Sequence, residues 1–360
     1  MNKKMIITVL SAILLLSGVV YADSITEPMS DPFGYFNVYS LGDIGTSKKA
    51  YGSTFEGVGG AAGDVFFKSF SIDGIDSSTG YALHTGGSAT LRGHYAKGLD
   101  IGGDLTIGKI SINGDVMVGG DVFQSGGGSI AGNLYAAGTV DLNKKMTVRG
   151  QSQGGVSYSS ILDFDAISSY FSLSSGIIGG WEATGEIVNE WGNLKFEGQN
   201  GINVIEINAE DLRNAWGFSI NAPSDAMVYI NVINSSGSMI LDSTNWVYSG
   251  GVSSENVIMN MPNMESMSLS GANIVNILAP LADTVFESGV VTGSLIVGNL
   301  EGRGQVKLGH FNGGDSIFAF PSSGSPEPIS TPEPSTLMLM LPGILLICWS
   351  FQKVGKRQRQ

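Results

Sequence analysis

Cysteine is almost absent from this sequence. Its 360 residues hold one, Cys348, inside an apolar run near the C-terminus, so no disulfide can staple the rest. A lone Cys in such a run reads as a small apolar side chain, not a nucleophile. Positive charge is scarce as well: 19 Lys and Arg stand against 32 Asp and Glu. Lys3, Lys4, Lys353, Lys356, Arg357 and Arg359 lie at the two ends, where no acidic residue occurs. The other 13 basic residues face all 32 acidic ones, a formal charge of −19 on the body. That argues against a nucleic-acid partner, which needs a basic surface, and against docking on anionic lipid. Histidine numbers three, His84, His94 and His310. None stands in H-E-x-x-H or clustered His–carboxylate spacing, so no metal ligand is assigned. G-x-S-x-G is missing, and GVGGAAGD from Gly57 lacks the Lys-Ser or Lys-Thr of a phosphate loop. No catalytic or cofactor-binding residue is assigned either.

Glycine, by contrast, is abundant at 52 residues. There is no G-X-Y period, so collagen is excluded. Many short Val, Ile and Leu segments between glycines point to strands joined by tight turns. Gly63-Asp64-Val65, Gly103-Asp104-Leu105, Gly114-Asp115-Val116, Gly120-Asp121-Val122 and Gly132-Asn133-Leu134 repeat one form. From Asp104 they recur at steps of 11, 6 and 12 residues. Gly-Asp and Gly-Asn turn the chain sharply, and a short strand plus such a turn, repeated, is what a β-solenoid coil needs. An antiparallel sandwich uses the same turns and stays open as the alternative. Calcium at the Asp positions also stays open, although Gly102-Gly103-Asp104 departs from the calcium nonapeptide. In Ser160–Ser175 the period changes: Ile161, Phe164, Ile167, Tyr170 and Phe171 fall at helical spacing. One amphipathic helix is expected near Asp163–Ser174, its aromatic stripe in the core. Strands return from Leu194, at Ile202–Ile207, Met227–Ile233, Val257–Met261, Met267–Leu269 and Ile274–Leu278. The fold class is therefore mainly β, a parallel β-helix-like body with one inserted helix.

The two ends carry targeting information. Lys3 and Lys4, the apolar run Met5–Val20 and the small exit at Val20-Tyr21-Ala22 form a secretory signal peptide over 1–22, cut between Ala22 and Asp23. An uncleaved N-terminal anchor is the alternative. No Cys stands near residue 22, which excludes lipoprotein processing there. Residues 322–334 are rich in Pro, Ser and Glu and read as an extended linker. An apolar helix over 335–351 follows, then a basic tail over 353–360. Lys353, Lys356, Arg357 and Arg359 act as a membrane stop and stay on the cytoplasmic side, so the body faces outward. Seventeen residues span about 26 Å as a helix, short of the roughly 30 Å of a bilayer core, and Pro342-Gly343 interrupts them. A temporary span that is later cut fits better than a permanent one.

Pro332-Glu333-Pro334, Ser335-Thr336, an apolar helix and a basic end, in that order, resemble the PEP-CTERM sorting signal over 332–360. The resemblance implies an exosortase-type membrane protease as partner, cleavage near Pro334, transient inner-membrane insertion, and delivery to the cell surface or extracellular matrix. The body, 23–321, resembles the choice-of-anchor A domain. The residues that carry this are FGYFNVYSLGD from Phe33, GVGGAAGDV, YINVINSSG (Tyr229–Gly237), VIMNMPNMESMSLSG (Val257–Gly271) and the long block from Asn276 to Gly313. It implies an extracellular domain and supplies no catalytic residue. Two function classes follow. One is a structural or adhesive surface protein that binds extracellular polysaccharide or other surface proteins. The other is a polysaccharide lyase or hydrolase on a solenoid scaffold. With Arg only at 92, 149, 213 and 303 in the body, no basic cluster for a lyase is visible. Ice binding would want regular Thr-x-Thr ladders, and these are absent.

Overall fold

The computed structural model describes residues 29, 31–73, 80–233 and 237–319. The readings at Ala22, Asp23, Pro332, Glu333, Pro334, Cys348 and the basic tail fall outside the described residues. Among the described residues no helix is long and apolar enough to cross a membrane.

The repeating unit is plainest between Val116 and Val148. Strands Val116–Val118, Val122–Gln124 and Gly128–Ile130 are separated by three-residue bends, and the next coil, Leu134–Ala136, Val140–Asp141 and Met146–Val148, lies on them. Pairing is parallel and in register, Val116 on Leu134, Val122 on Val140 and Gly128 on Met146 through Ile130 on Val148. Because the register is in step, like side chains stack: Leu99, Val116 and Leu134 form one inward column and Leu105 and Val122 another, all fully buried. Each such side chain contributes roughly 1.5–3 kcal/mol by leaving water, which replaces the disulfides the chain lacks. Among the described strand pairs only Val188–Glu190 with Asn193–Glu197 is antiparallel. The sandwich alternative is thereby overturned, and the solenoid reading holds.

The Gly-Asp series proves to mark two corners, not one. At the first corner a side chain of each coil accepts the backbone N–H of the next. Asp43 accepts from Asp64 (2.7 Å), Asp64 from Ser88 (2.7 Å), Ser88 from Asp104 (3.1 Å), Asp104 from Asp121 (2.8 Å) and Asp121 from Thr139 (2.6 Å). At the second, Asp115 accepts from Asn133 (2.6 Å) and Asn133 from Gln151 (2.9 Å). The steps of 11, 6 and 12 thus pair into coils of 17 and 18 residues. A third corner needs glycine outright. Gly93 has φ +130°, and a Cβ there would lie 1.7 Å from the Phe70 carbonyl oxygen of the coil below. The coils stack too closely at that bend for any side chain.

The coils are not stacked in sequence order. The chain climbs from Val38–Ser40 to Ser152–Gln153, and the helix Phe164–Gly179 then carries it back along one face. The second half builds from Asn193–Glu197 toward Leu295–Gly302, and that strand pairs in parallel with Val38–Ser40. Phe55 pairs likewise with Val306. The two halves therefore meet at a seam in mid-stack.

The helix forms where its period was read, with Asp163 as N-cap accepting the Ala166 N–H at 2.9 Å. It runs to Gly179, past the expected Ser174, because Ile178 is needed in the core. Ile161 falls outside it and is half exposed. Ile167, Phe171 and Ile178 pack on Tyr39, Ile296, Leu278, Ile258 and Tyr229, a core that crosses the seam. Asn231 donates to the Ile178 carbonyl at 2.7 Å and so satisfies one of the free acceptors at the helix end. Short helices at Pro32–Tyr35, Ala209–Asn214 and Gly314–Ala319 correct the expectation of a single helix. Their few residues carry no period long enough to read.

Candidate functional site

Each coil presents three faces, and their outward residues differ. On the face that carries the long helix, Tyr39, Gly60, His84, Asp100, Met117 and Tyr135 are aligned coil by coil. His84 and Asp100 are fully buried there. The His84 Nδ1–Asp100 Oδ2 distance is 3.2 Å, and Tyr35 Oη lies 2.8 Å from His84 Nε2. Tyr158 donates to Asp100 Oδ1 at 2.9 Å and Ser160 to Oδ2 at 3.3 Å. With Asp100 accepting from Nδ1–H, His84 Nε2 is left to accept the Tyr35 hydroxyl.

Hydroxyl, imidazole and carboxylate in series have the order of an acyl-transfer triad. Burial, with the Asp100 charge adding to it, pushes the Tyr35 phenol up to about 12, so at rest it is a neutral donor to His84. Burial likewise raises Tyr158, again with Asp100 as the second cause. The cluster is a clasp: it ties the first helix and the 158–160 segment to the solenoid wall. The sequence reading saw no His–carboxylate cluster because the partners lie one coil apart, 16 residues in the case of His84 and Asp100. His94 finds Asp73 in the same way, Nε2 to Oδ1 at 3.5 Å.

The second face, at Phe66, Thr90, Thr106, Phe123 and Asp141, is mixed. The third is more uniform. In the first half its outward positions, one per coil and in register, are Thr54, Ser71, His94, Ser111, Ser129 and Thr147. All are at least partly exposed, and Thr54 and Ser71 hydroxyls stand 3.1 Å apart. Strand spacing sets the column's rise at about 4.8 Å per coil. Beneath it Phe55, Ile72, Tyr95, Ile112 and Ile130 are buried, so five hydroxyls and the His94 ring sit on a packed, stiff wall. The sequence shows no Thr-x-Thr pair here because the column is one residue wide. A coil period of 18 residues, counted from Ser111, would have found Ser129 and Thr147.

Each acidic corner residue accepts a backbone N–H at one carboxylate oxygen. Asp121 is held below its usual range, first by the Thr139 backbone N–H and then by the Thr139 hydroxyl. At the seam Asp43, Asp283 and Glu301 line a groove of about 360 Å³. There Asp283 accepts from Asn299 at 2.8 Å and Glu301 pairs with Lys49 at 3.1 Å. Among the described residues no three His, Cys, Asp or Glu side chains gather as a metal site.

Residues 29–308 match the family model described as "Putative Ice-binding-like adhesive domain". The chain belongs to this family. For this adhesive domain the match runs through both halves of the solenoid and across the seam, from just before the first helix to the last coil. Two solved structures are similar to it. One is an ice-binding protein from the Antarctic ascomycete Antarctomyces psychrotrophicus: 13% identity over 56% of this chain and 93% of that one, TM-score 0.29. The other is an ice-binding protein (LeIBP) with antifreeze activity from an Arctic yeast: 10% identity over 59% and 93%, TM-score 0.31. Likeness at that level adds nothing to the parallel solenoid already seen in the strand register. No curated protein matches the adhesive domain.

Proposed function

We propose that the chain is an exported, non-enzymatic adhesive module that holds extracellular polysaccharide or other surface proteins through the hydroxyl column of its third face. That column carries the reading: periodic hydroxyls on a stiff wall suit a repetitive, hydrogen-bonding polymer, and the family description is adhesive. The finer parts come from the sequence: the choice-of-anchor A body, and a PEP-CTERM tail cut near Pro334 by an exosortase-type protease after a pause in the inner membrane. The test is attachment of cells that display the full chain. Ser111→Tyr with Ser129→Tyr puts two large rings in the middle of the column, where they stand outward and disturb no core. Attachment is expected to fall about ten-fold or more, with the unfolding temperature unchanged. Undiminished attachment would move the adhesive surface elsewhere.

A second reading, ice as the repetitive ligand, is favoured by the family's description. Enrichment of the chain in a growing ice hemisphere would establish it, and the same double variant would abolish it. Calcium has no part in either reading. The corner carboxylates already accept N–H donors, so EDTA should leave the unfolding temperature unchanged. A fall of several degrees on chelation would restore the calcium hypothesis.

A further inference from the structure

At the end of the stack opposite Ser152–Gln153, the last coil is closed by the antiparallel hairpin of Val188–Glu190 and Asn193–Glu197. Its two-residue tip is Trp191-Gly192. Trp191 has φ +54°, a left-handed conformation that suits Asn, Asp or Gly and strains a bulky residue. Its side chain is 98% exposed, so no core contact explains why an indole stands there. A second indole lies beside it. Trp216 is 58% exposed, and its Nε1–H donates to the Trp191 carbonyl at 2.9 Å. Gly192 passes directly under it, where a Cβ would sit 2.9 Å from the ring. Trp216 is therefore held flat by its edge with its outer face open.

We propose that Trp191 and Trp216 form a stacking platform for the pyranose rings of an uncharged polysaccharide. The assignment rests on the adhesive reading above and gives it a second contact, remote from the hydroxyl column. Three observations select this occupant. A pyranose offers an apolar C–H face to an indole and hydroxyls around its rim, and the tip supplies both kinds of partner. The Glu190–Lys195 ion pair flanks the indoles, and Asn189, which accepts the Gly192 N–H at 2.9 Å, keeps its amide donors for solvent. A docked protein would want a continuous apolar patch. Here the exposed Val188 and Val247 are separated by Lys195 and Ser219 in one cross-strand row. The charge is also selective: from Glu182 to Asp211 the chain carries seven acidic residues and one basic. A uronate polymer or an anionic membrane is repelled.

The test is native electrophoresis of the purified full-length chain in gels containing laminarin, dextran or alginate. Trp191→Asn separates recognition from folding. Asn accepts the left-handed backbone, the exposed ring leaves no cavity, and the carbonyl that anchors Trp216 remains. This variant should unfold about 2 °C higher while its affinity for the retarding glucan falls about ten-fold. Trp191→Tyr should keep most of the affinity. Tryptophan emission of the native chain should shift to the blue with the glucan. The proposal is overturned if neither laminarin nor dextran retards the native chain, if alginate alone does, or if Trp191→Asn is retarded as before. It is equally overturned if the blue shift comes instead from phosphatidylcholine vesicles or from raising the protein concentration. In each of these cases the adhesive reading is judged separately, by attachment of the Ser111 and Ser129 variant.

Discussion

Replacing Asp100 by Ala should remove about 3–5 kcal/mol of folding stability, read as a fall in the urea midpoint. Removal of one partner from a buried pair typically has this size, because the other polar groups stay behind without a partner. Here three donors are orphaned at once: the His84 Nδ1–H, the Tyr158 hydroxyl and the Ser160 hydroxyl. All three face a position that is only 1% exposed; Tyr158 and Ser160 are half-buried and can turn to water, so most of the loss falls on the fully buried His84. Against a total stability of about 5–15 kcal/mol the loss is severe. Two milder variants locate it. Asp100→Asn keeps the shape and one acceptor and should fall between the two. Tyr35→Phe removes a single hydrogen bond and should lose only about 1 kcal/mol. Proteolysis should first appear near 154–162 in Asp100→Ala, since the clasp holds that segment down. An unchanged midpoint for Asp100→Ala would show that the clasp does not contribute to the fold.

The second large effect concerns the tail. Changing Pro332, Glu333 and Pro334 together to Ala is expected to leave the full-length protein in the inner membrane. The apolar run 335–351 is short for a lasting span and interrupted at Pro342-Gly343, yet Lys353, Lys356, Arg357 and Arg359 stop it from passing through. On the proposed reading, that pause would present the Pro-Glu-Pro segment to a protease outside the membrane. Proline restricts its own φ, so a Pro-x-Pro sequence needs little ordering by a protease cleft. The same changes at Pro326, Glu327 and Pro328, farther from the apolar run, should matter little. Mass spectrometry of the surface-delivered protein decides the point: a mature form that still contains Leu337–Gln360 would replace cleavage by a plain anchor.

The parts of the fold that were legible in the sequence are those written in neighbouring residues. Gly-Asp turns followed by a branched apolar residue announced the coil, and Asp163 with Ile167 and Phe171 announced the helix. What was not legible depends on which coil lies beside which. Nothing near Val38 says that its partner is Leu295, and nothing near His84 points to Asp100 one coil on. The hydroxyl column was hidden for the same reason, since a face-to-face neighbour on a solenoid is a full coil away in sequence. Trp191 escaped notice on other grounds. A Trp-Gly pair resembles any apolar segment until the hairpin exposes the ring and twists its backbone.

The mid-stack seam has a consequence for how the molecule is made. Order along the stack is a cyclic shift of order along the chain: if residue 319 were joined to residue 31 and the chain opened after Gly179, the coils would follow one another in a single unbroken spiral. In the natural order the first coil must wait. As the chain emerges, the coils from Val38 to Gln153 can close one upon the next through local contacts, but the outer side of Val38–Ser40 stays unpaired until a strand 257 residues later arrives, Leu295 on Val38. Contacts of such long range form late, and an open strand edge will accept any strand that fits. Where two unfolded chains lie close together, the last coils of one fit the waiting edge of the other as well as their own, so exchange between copies should compete with closure of each upon itself.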